Sequence, residues 1–145
     1  MPKSDNQKLK IFYILDYLQR NSHQAHPVRA SELQSMLHQQ HDIECDRKTI
    51  YSDVEALKEY GVDIVSLPGK GGGYYIASRN FELPELKLLV DAVQSSKFIT
   101  QKKSRQLIRK LESLTSEYEA KKLQRQVYVG SRVKTMNESV YYNID

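Results

Sequence analysis

The residues best placed to do chemistry fall in two short runs, DRKTIYSDVEALKEYG at 46–61 and PGKGGG at 68–73. In the first, Ile50, Val54 and Leu57 recur at steps of four and three, as one face of a helix does. That spacing sets Lys48 and Ser52 on the opposite face, Thr49 and Tyr51 on the flanks and Arg47 at the helix start. Guanidinium and ammonium groups pair with phosphates or with guanine edges, and hydroxyls bond to either. Glu55 and Glu59, further along, would repel phosphates, so the front of this helix is its docking end. Asp46 is a natural N-cap, and Gly61 supplies the backbone freedom that ends a helix. The bland alternative is a capped surface helix with a solvated basic tip.

In the second run Lys70 is the one charge, and the glycines let a main chain approach another backbone closely. A nucleotide phosphate loop would need G-x-x-x-x-G-K-[ST] between a strand and a helix. Here the glycines lie between two strand-like runs and Lys70 is followed by glycine, so the run reads as a hairpin turn.

Other candidates carry less. His23, His26, His38 and His41 show no fixed ligand spacing, and Cys45 is the single cysteine, so they read as surface histidines with no metal site. Cys45 reads as a buried or merely tolerated cysteine. There is no G-x-S-x-G elbow and no H-E-x-x-H, and no catalytic residue, cofactor or enzymatic activity is expected. Asp53, beside the inward face, reads as a structural partner for a neighbouring N–H or arginine. Lys102, Lys103, Arg105, Arg109 and Lys110 form a second basic run, read as the solvated back of an amphipathic helix, with a second DNA surface as the alternative.

These residues need elements to hold them. A first helix is expected from about residue 6 to 21, with Leu9, Ile11, Phe12, Leu15 and Leu18 as its apolar face. The polar loop NSHQAHPVR follows, then a second helix over about 30–40 with Leu33, Met36 and Leu37 inward. After the third helix, about 47–60, VDIVSL alternates as a half-buried strand and YYIA returns as its partner. Three short helices and a hairpin are the order of a winged helix. From Phe81 the pattern is helical: FELPELKLLVDAVQSSKF with Leu86, Leu89, Val90 and Val93 inward, then a helix capped by Thr100 with Leu107, Ile108, Leu111 and Leu114 as its stripe. QVYVGSRV reads as a short strand or extended arm, and NESVYYNID as the opening of another helix without a terminator, which suggests a fragment.

At 145 residues the chain holds one domain, or a small domain with a helical annex. No apolar run approaches a membrane helix, no signal-peptide core is present, and a lone cysteine fits a reducing cytoplasm. The formal net charge is +4, unevenly spread. Residues 1–78 carry nine Lys/Arg against ten Asp/Glu, net −1, while residues 79–145 carry thirteen against eight, net +5. Any nucleic-acid reading must therefore rest on local potential and not on the total.

The runs CDRKTIYSDVEALKEYGVDI, GKGGGYYI and SRNFELPELKLLVDAVQSSKFIT, continued by KKSRQLIRKLESL, EAKKLQRQVYV and VKTMNESVYYNID, resemble the front part of the WYL-domain transcriptional regulators. The resemblance implies a DeoR-like winged helix-turn-helix, double-stranded DNA as partner, a homodimer, and an effector ligand bound by a WYL domain that would follow Asp145. It also implies DNA contacts from Arg47, Lys48, Thr49 and Tyr51 and from the wing around Lys70. At position 52 that family often has arginine where this chain has Ser52.

The expected fold class is mainly α with a small β-hairpin wing. A DNA-binding domain would span 1–79, with its recognition helix at 47–60 in the major groove and its wing at 67–75. A helical linker and dimerisation region would span 80–145. The site residues expected to meet DNA are Arg47, Lys48, Thr49, Tyr51, Ser52 and Lys70. The rival function is a protein-interaction module on the same scaffold, for which the negative balance of residues 1–78 speaks.

Overall fold

A computed structural model of the protein describes residues 2–123, with side chains from residue 7 onward. The stretches expected to form an extended arm and a last helix, QVYVGSRV and NESVYYNID, lie outside the described residues. The chain divides into two compact units, Met1–Ser78 and Arg79–Asp145.

The first unit is three helices and a hairpin: α1 (Pro2–Asn21), α2 (Ala30–His41), α3 (Arg47–Tyr60), β1 (Ile64–Leu67) and β2 (Gly73–Ile76). Its core gathers Ile14 and Leu18 of α1, Leu33, Met36 and Leu37 of α2, Ile43, and Ile50, Val54 and Leu57 of α3, closed by Val28, Ile64 and Ile76. Each fully buried aliphatic contributes roughly 1.5–3 kcal/mol relative to exposure. The α1 face agrees only in part with the one the sequence suggests: Leu18 is buried and Ile11 and Leu15 pack against the core. Phe12 and Leu9 are 63% and 44% exposed, and the buried line is Lys10, Ile14 and Leu18. Several apolar stripes overlap on this helix, and only packing against α2 and α3 selects one.

The hairpin is antiparallel, with Ile64 opposite Ile76 and Leu67 opposite Gly73. The loop after α1 adds a further rung, because Val28 and Tyr74 exchange both backbone hydrogen bonds at 2.7 Å. Gly73 sits at φ +150°, and a Cβ there would lie 2.6 Å from the Val28 carbonyl oxygen. At Gly72 a Cβ would lie 2.0 Å from the Leu67 oxygen. These two glycines are thus required by the protein's own backbone crossings. Buried Ser22 completes the junction: its hydroxyl donates to the Leu18 carbonyl and accepts from Ile76 N at 3.0 Å. At the other side of α1, the Tyr17 hydroxyl donates to Glu32. Burial pushes this phenol up to about 12, with the Glu32 hydrogen bond and charge adding to the effect.

The second unit opens with α4 (Leu83–Ser95) and α5 (Gln101–Glu112), which pack together through Leu86, Val90, Ser104 and Ile108. Residues 117–123 are again helical. α4 starts with a reciprocal capping box between Glu82 and Glu85, and Thr100 caps α5 by accepting from Lys103 N at 3.1 Å. α4 ends at Ser95 and not near Phe98, which is 78% exposed. Leu89 and Leu114, expected inward, are 37% and 39% exposed; Leu114 lies in the turn beyond the end of α5 at Glu112.

Candidate nucleic-acid interface

The site begins at the start of α3. Asp46 adopts an extended conformation and its Oδ1 accepts from Thr49 N at 3.0 Å. That backbone hydrogen bond, with smaller help from the charges of Lys48 and Lys10, holds the Asp46 carboxyl below its usual range. The Thr49 hydroxyl turns back and donates to the Asp46 carbonyl at 2.8 Å. The loop before the helix is held from α2, where Gln34 donates to the Cys45 carbonyl at 2.9 Å.

Burial of Ile50, Val54 and Leu57 then fixes what α3 shows to solvent. Arg47, Lys48, Thr49, Tyr51 and Ser52 are all exposed. Arg47 and Tyr51 line a groove of about 730 Å³ together with Lys70 and Tyr74 of the hairpin and Arg29 and Ser31 at the start of α2, the hairpin and the chain leading into α2 being joined by the Val28–Tyr74 backbone pair. Lys48, Thr49 and Ser52 stand outside its lining, on the open part of the helix. The groove thus gathers three cations from three elements that are distant in sequence.

Arg29 was not among the residues the sequence singled out. It occupies the N-cap position of α2 with no side-chain capping bond. The signal available was a cation where Ser, Thr, Asp or Asn is preferred, at the start of a helix whose dipole disfavours it. Glu55 also lines the groove and takes a hydrogen bond from Lys58 at 3.3 Å; Lys58 in turn donates to Ser66 of β1 at 2.9 Å. The carboxylate in the basic groove therefore carries its own counter-charge.

The remaining candidates find local roles. His23 and His26 pair through their backbones, and His23 Nδ1 accepts from Ala25 N. His41 stacks on Tyr13 with ring centroids 3.5 Å apart. His38 Nδ1 lies 3.7 Å from Glu44. Among the described residues no three His, Cys, Asp or Glu side chains gather as a metal site. Asp53 has a structural partner, but it is Lys10 of α1 at 2.9 Å and not the N–H or arginine expected.

The model of the HTH domain family matches residues 12–75, from the middle of α1 to the end of the hairpin. The N-terminal unit carries a helix-turn-helix domain of the DNA-binding class. No curated protein and no solved structure matches the chain. In the helix-turn-helix domain the second and third helices are α2 and α3, and the hairpin of β1 and β2 is a wing. No described helix is long and apolar enough to cross a membrane.

Proposed function

We propose that the chain is the DNA-binding part of a cytoplasmic transcriptional regulator of the WYL-domain, DeoR-like kind, which binds duplex DNA sequence-specifically as a homodimer. α3 enters the major groove, where Lys48, Thr49, Tyr51 and Ser52 meet base edges and phosphates. Arg47, Arg29 and Lys70 hold the flanking backbone. The observation that carries this reading is the convergence of Arg29, Arg47 and Lys70 on one groove beside the exposed face of α3. Local potential, and not the net −1 of residues 1–78, governs contact with phosphates. The second unit supplies the dimer contact, and two half-sites read together give the affinity that one small module lacks. An effector ligand is bound by a further domain.

The test is binding of the chain to DNA from upstream of its own gene, at several salt concentrations, beside Arg47→Ala/Lys48→Ala. The wild type binds this DNA over competitor. The double variant loses about 0.9 in log–log salt slope for each lost phosphate contact. The negative balance of the helix-turn-helix domain favours a second reading, docking to a protein. A wild-type chain that ignores duplex DNA at low salt would overturn the first reading and turn the search to a protein partner.

A further inference from the structure

A positive charge stands where the periodicity of α1 calls for an apolar side chain. Lys10 lies four and eight residues before Ile14 and Leu18, both fully buried, and is itself 7% exposed. Its Nζ is 2.9 Å from Asp53 Oδ2 on α3, with the two side chains 9% and 21% exposed. Removing two charges from water is costly, and apolar side chains of similar volume would join α1 to α3 at least as firmly. Adhesion therefore does not explain the pair. What the ion pair supplies, and an aliphatic contact does not, is a fixed partner position: Asp53 Oδ2 is buried with no hydrogen-bond partner among the described residues, and the Lys10 charge beside it is what compensates it.

A second tie holds the other edge of the same helix. Lys58, five residues after Asp53, donates to Ser66 Oγ of β1 at 2.9 Å. At about 100° per residue the two positions stand about 140° apart, on either side of the buried stripe of Ile50, Val54 and Leu57. α3 is thus gripped at both edges, and the arc left open carries Lys48, Tyr51 and Ser52. A roll of about 20° would carry side-chain tips some 5–6 Å from the axis by about 2 Å. Contacts to base edges do not survive such a displacement, whereas long cationic side chains follow a phosphate through it.

We propose that Lys10 and Asp53 form a rotational lock on α3, positioning residues that decide which side chains of the helix face a bound duplex. The proposal rests on the DNA-binding reading and assigns the pair to sequence discrimination, with affinity for the backbone left to Arg29, Arg47 and Lys70.

The experiment uses the full chain. Wild type first selects duplexes from a randomised pool. Affinity for a selected duplex and for a random-sequence duplex is then measured against salt for wild type, Lys10→Met/Asp53→Leu, Asp53→Asn and Lys10→Arg. Circular dichroism melts run on each. The apolar pair is expected to melt at or above the wild-type temperature, yet to lose at least about tenfold in the selected-to-random ratio. Its salt slope on random duplex should stay within the value of one phosphate contact, about 0.9. Lys10→Arg should keep the ratio. Asp53→Asn, which preserves shape, should lower it even if the apolar pair fails to fold. A folded apolar pair with an unchanged ratio overturns the lock, as does an Asp53→Asn chain with the wild-type ratio. A loss shared equally by both duplexes also overturns it, since that is the mark of a general structural role. A wild type that selects nothing from the pool removes the DNA-binding reading and the lock with it, and that failure appears before any variant is made.

Discussion

α3 and α5 begin alike and end in different situations. Each is capped by a side-chain oxygen, from Asp46 and Thr100, that accepts from the backbone N–H three residues on. Each carries two cations and no acid in its opening turn, Arg47 and Lys48 in one, Lys102 and Lys103 in the other. α2 and α4 instead place Glu32 and Glu85 there, as a helix dipole favours. α5 sits in the unit of net +5 and α3 in that of net −1. Yet it is α3 whose Arg47 shares a groove with Arg29 of α2 and Lys70 of the wing, while Lys103, Arg105, Arg109 and Lys110 ride on one helix. The difference teaches that a local concentration of charge comes from convergence across elements, and that the charge of a segment is a poor guide to it.

The harshest way to break this comparison is to move the wing. Gly73→Ala places a Cβ against the Val28 carbonyl in a conformation that disfavours side chains. The strain and clash together should cost about 2–4 kcal/mol in urea unfolding. Under native conditions, displacement of Lys70 should also flatten the DNA salt slope by about 0.9. A Gly73→Ala chain with wild-type stability would show that the Val28–Tyr74 crossing does not hold the wing.

Next in size is Ser22→Ala, which removes the acceptor for Ile76 N inside the same junction. A buried donor left without a partner costs about 1–3 kcal/mol, visible as a lower urea midpoint with unchanged m-value. Equal midpoints for variant and wild type would mean that the backbone there finds another acceptor.

The two caps sharpen the comparison through pH. Thr100→Ala should cost about 1 kcal/mol at every pH, because a hydroxyl does not titrate in this range. Asp46→Ala should behave differently. Its carboxyl is held below the ordinary value when folded, so its contribution is present above the unfolded carboxylate value and fades as pH falls through the lower, folded one. Melting temperatures of wild type and Asp46→Ala should therefore differ near neutrality and converge in acid, while the Thr100→Ala gap stays constant. A gap for Asp46→Ala that persists unchanged into acid would count against the cap.

The smallest effect is expected on α5. Arg105→Gln/Arg109→Gln should leave DNA affinity within about twofold and the salt slope unchanged, since glutamine keeps the helix and a solvated face carries no phosphate contact. A slope flattened by about 0.9 per residue would make α5 a second DNA surface and erase the contrast with α3.

Much of the helix-turn-helix domain was legible because its signals are local. The Asp46 cap, the Ile50, Val54 and Leu57 stripe and the Gly61 stop bracket α3 within sixteen residues, and turn glycines bracket the wing. On α1 the expected Leu18, Ile11 and Leu15 do meet the core, whereas Leu9 and Phe12 do not, because by spacing alone they extend that stripe as well as Ile14 does. No apolar count anticipates a lysine on the core side. Arg29 was passed over for a related reason: it looks like one charge in a polar loop until the wing folds back beside it.

By itself the sequence determined the order of elements, their caps and the outward residues of α3, because each depends on neighbours within a turn or two of chain. Only the tertiary structure decided which face of α1 is buried, that Lys10 finds Asp53, and that Arg29, Arg47 and Lys70 surround one groove. Those arrangements depend on side chains 18 to 43 residues apart, and only the packing of the core brings them together.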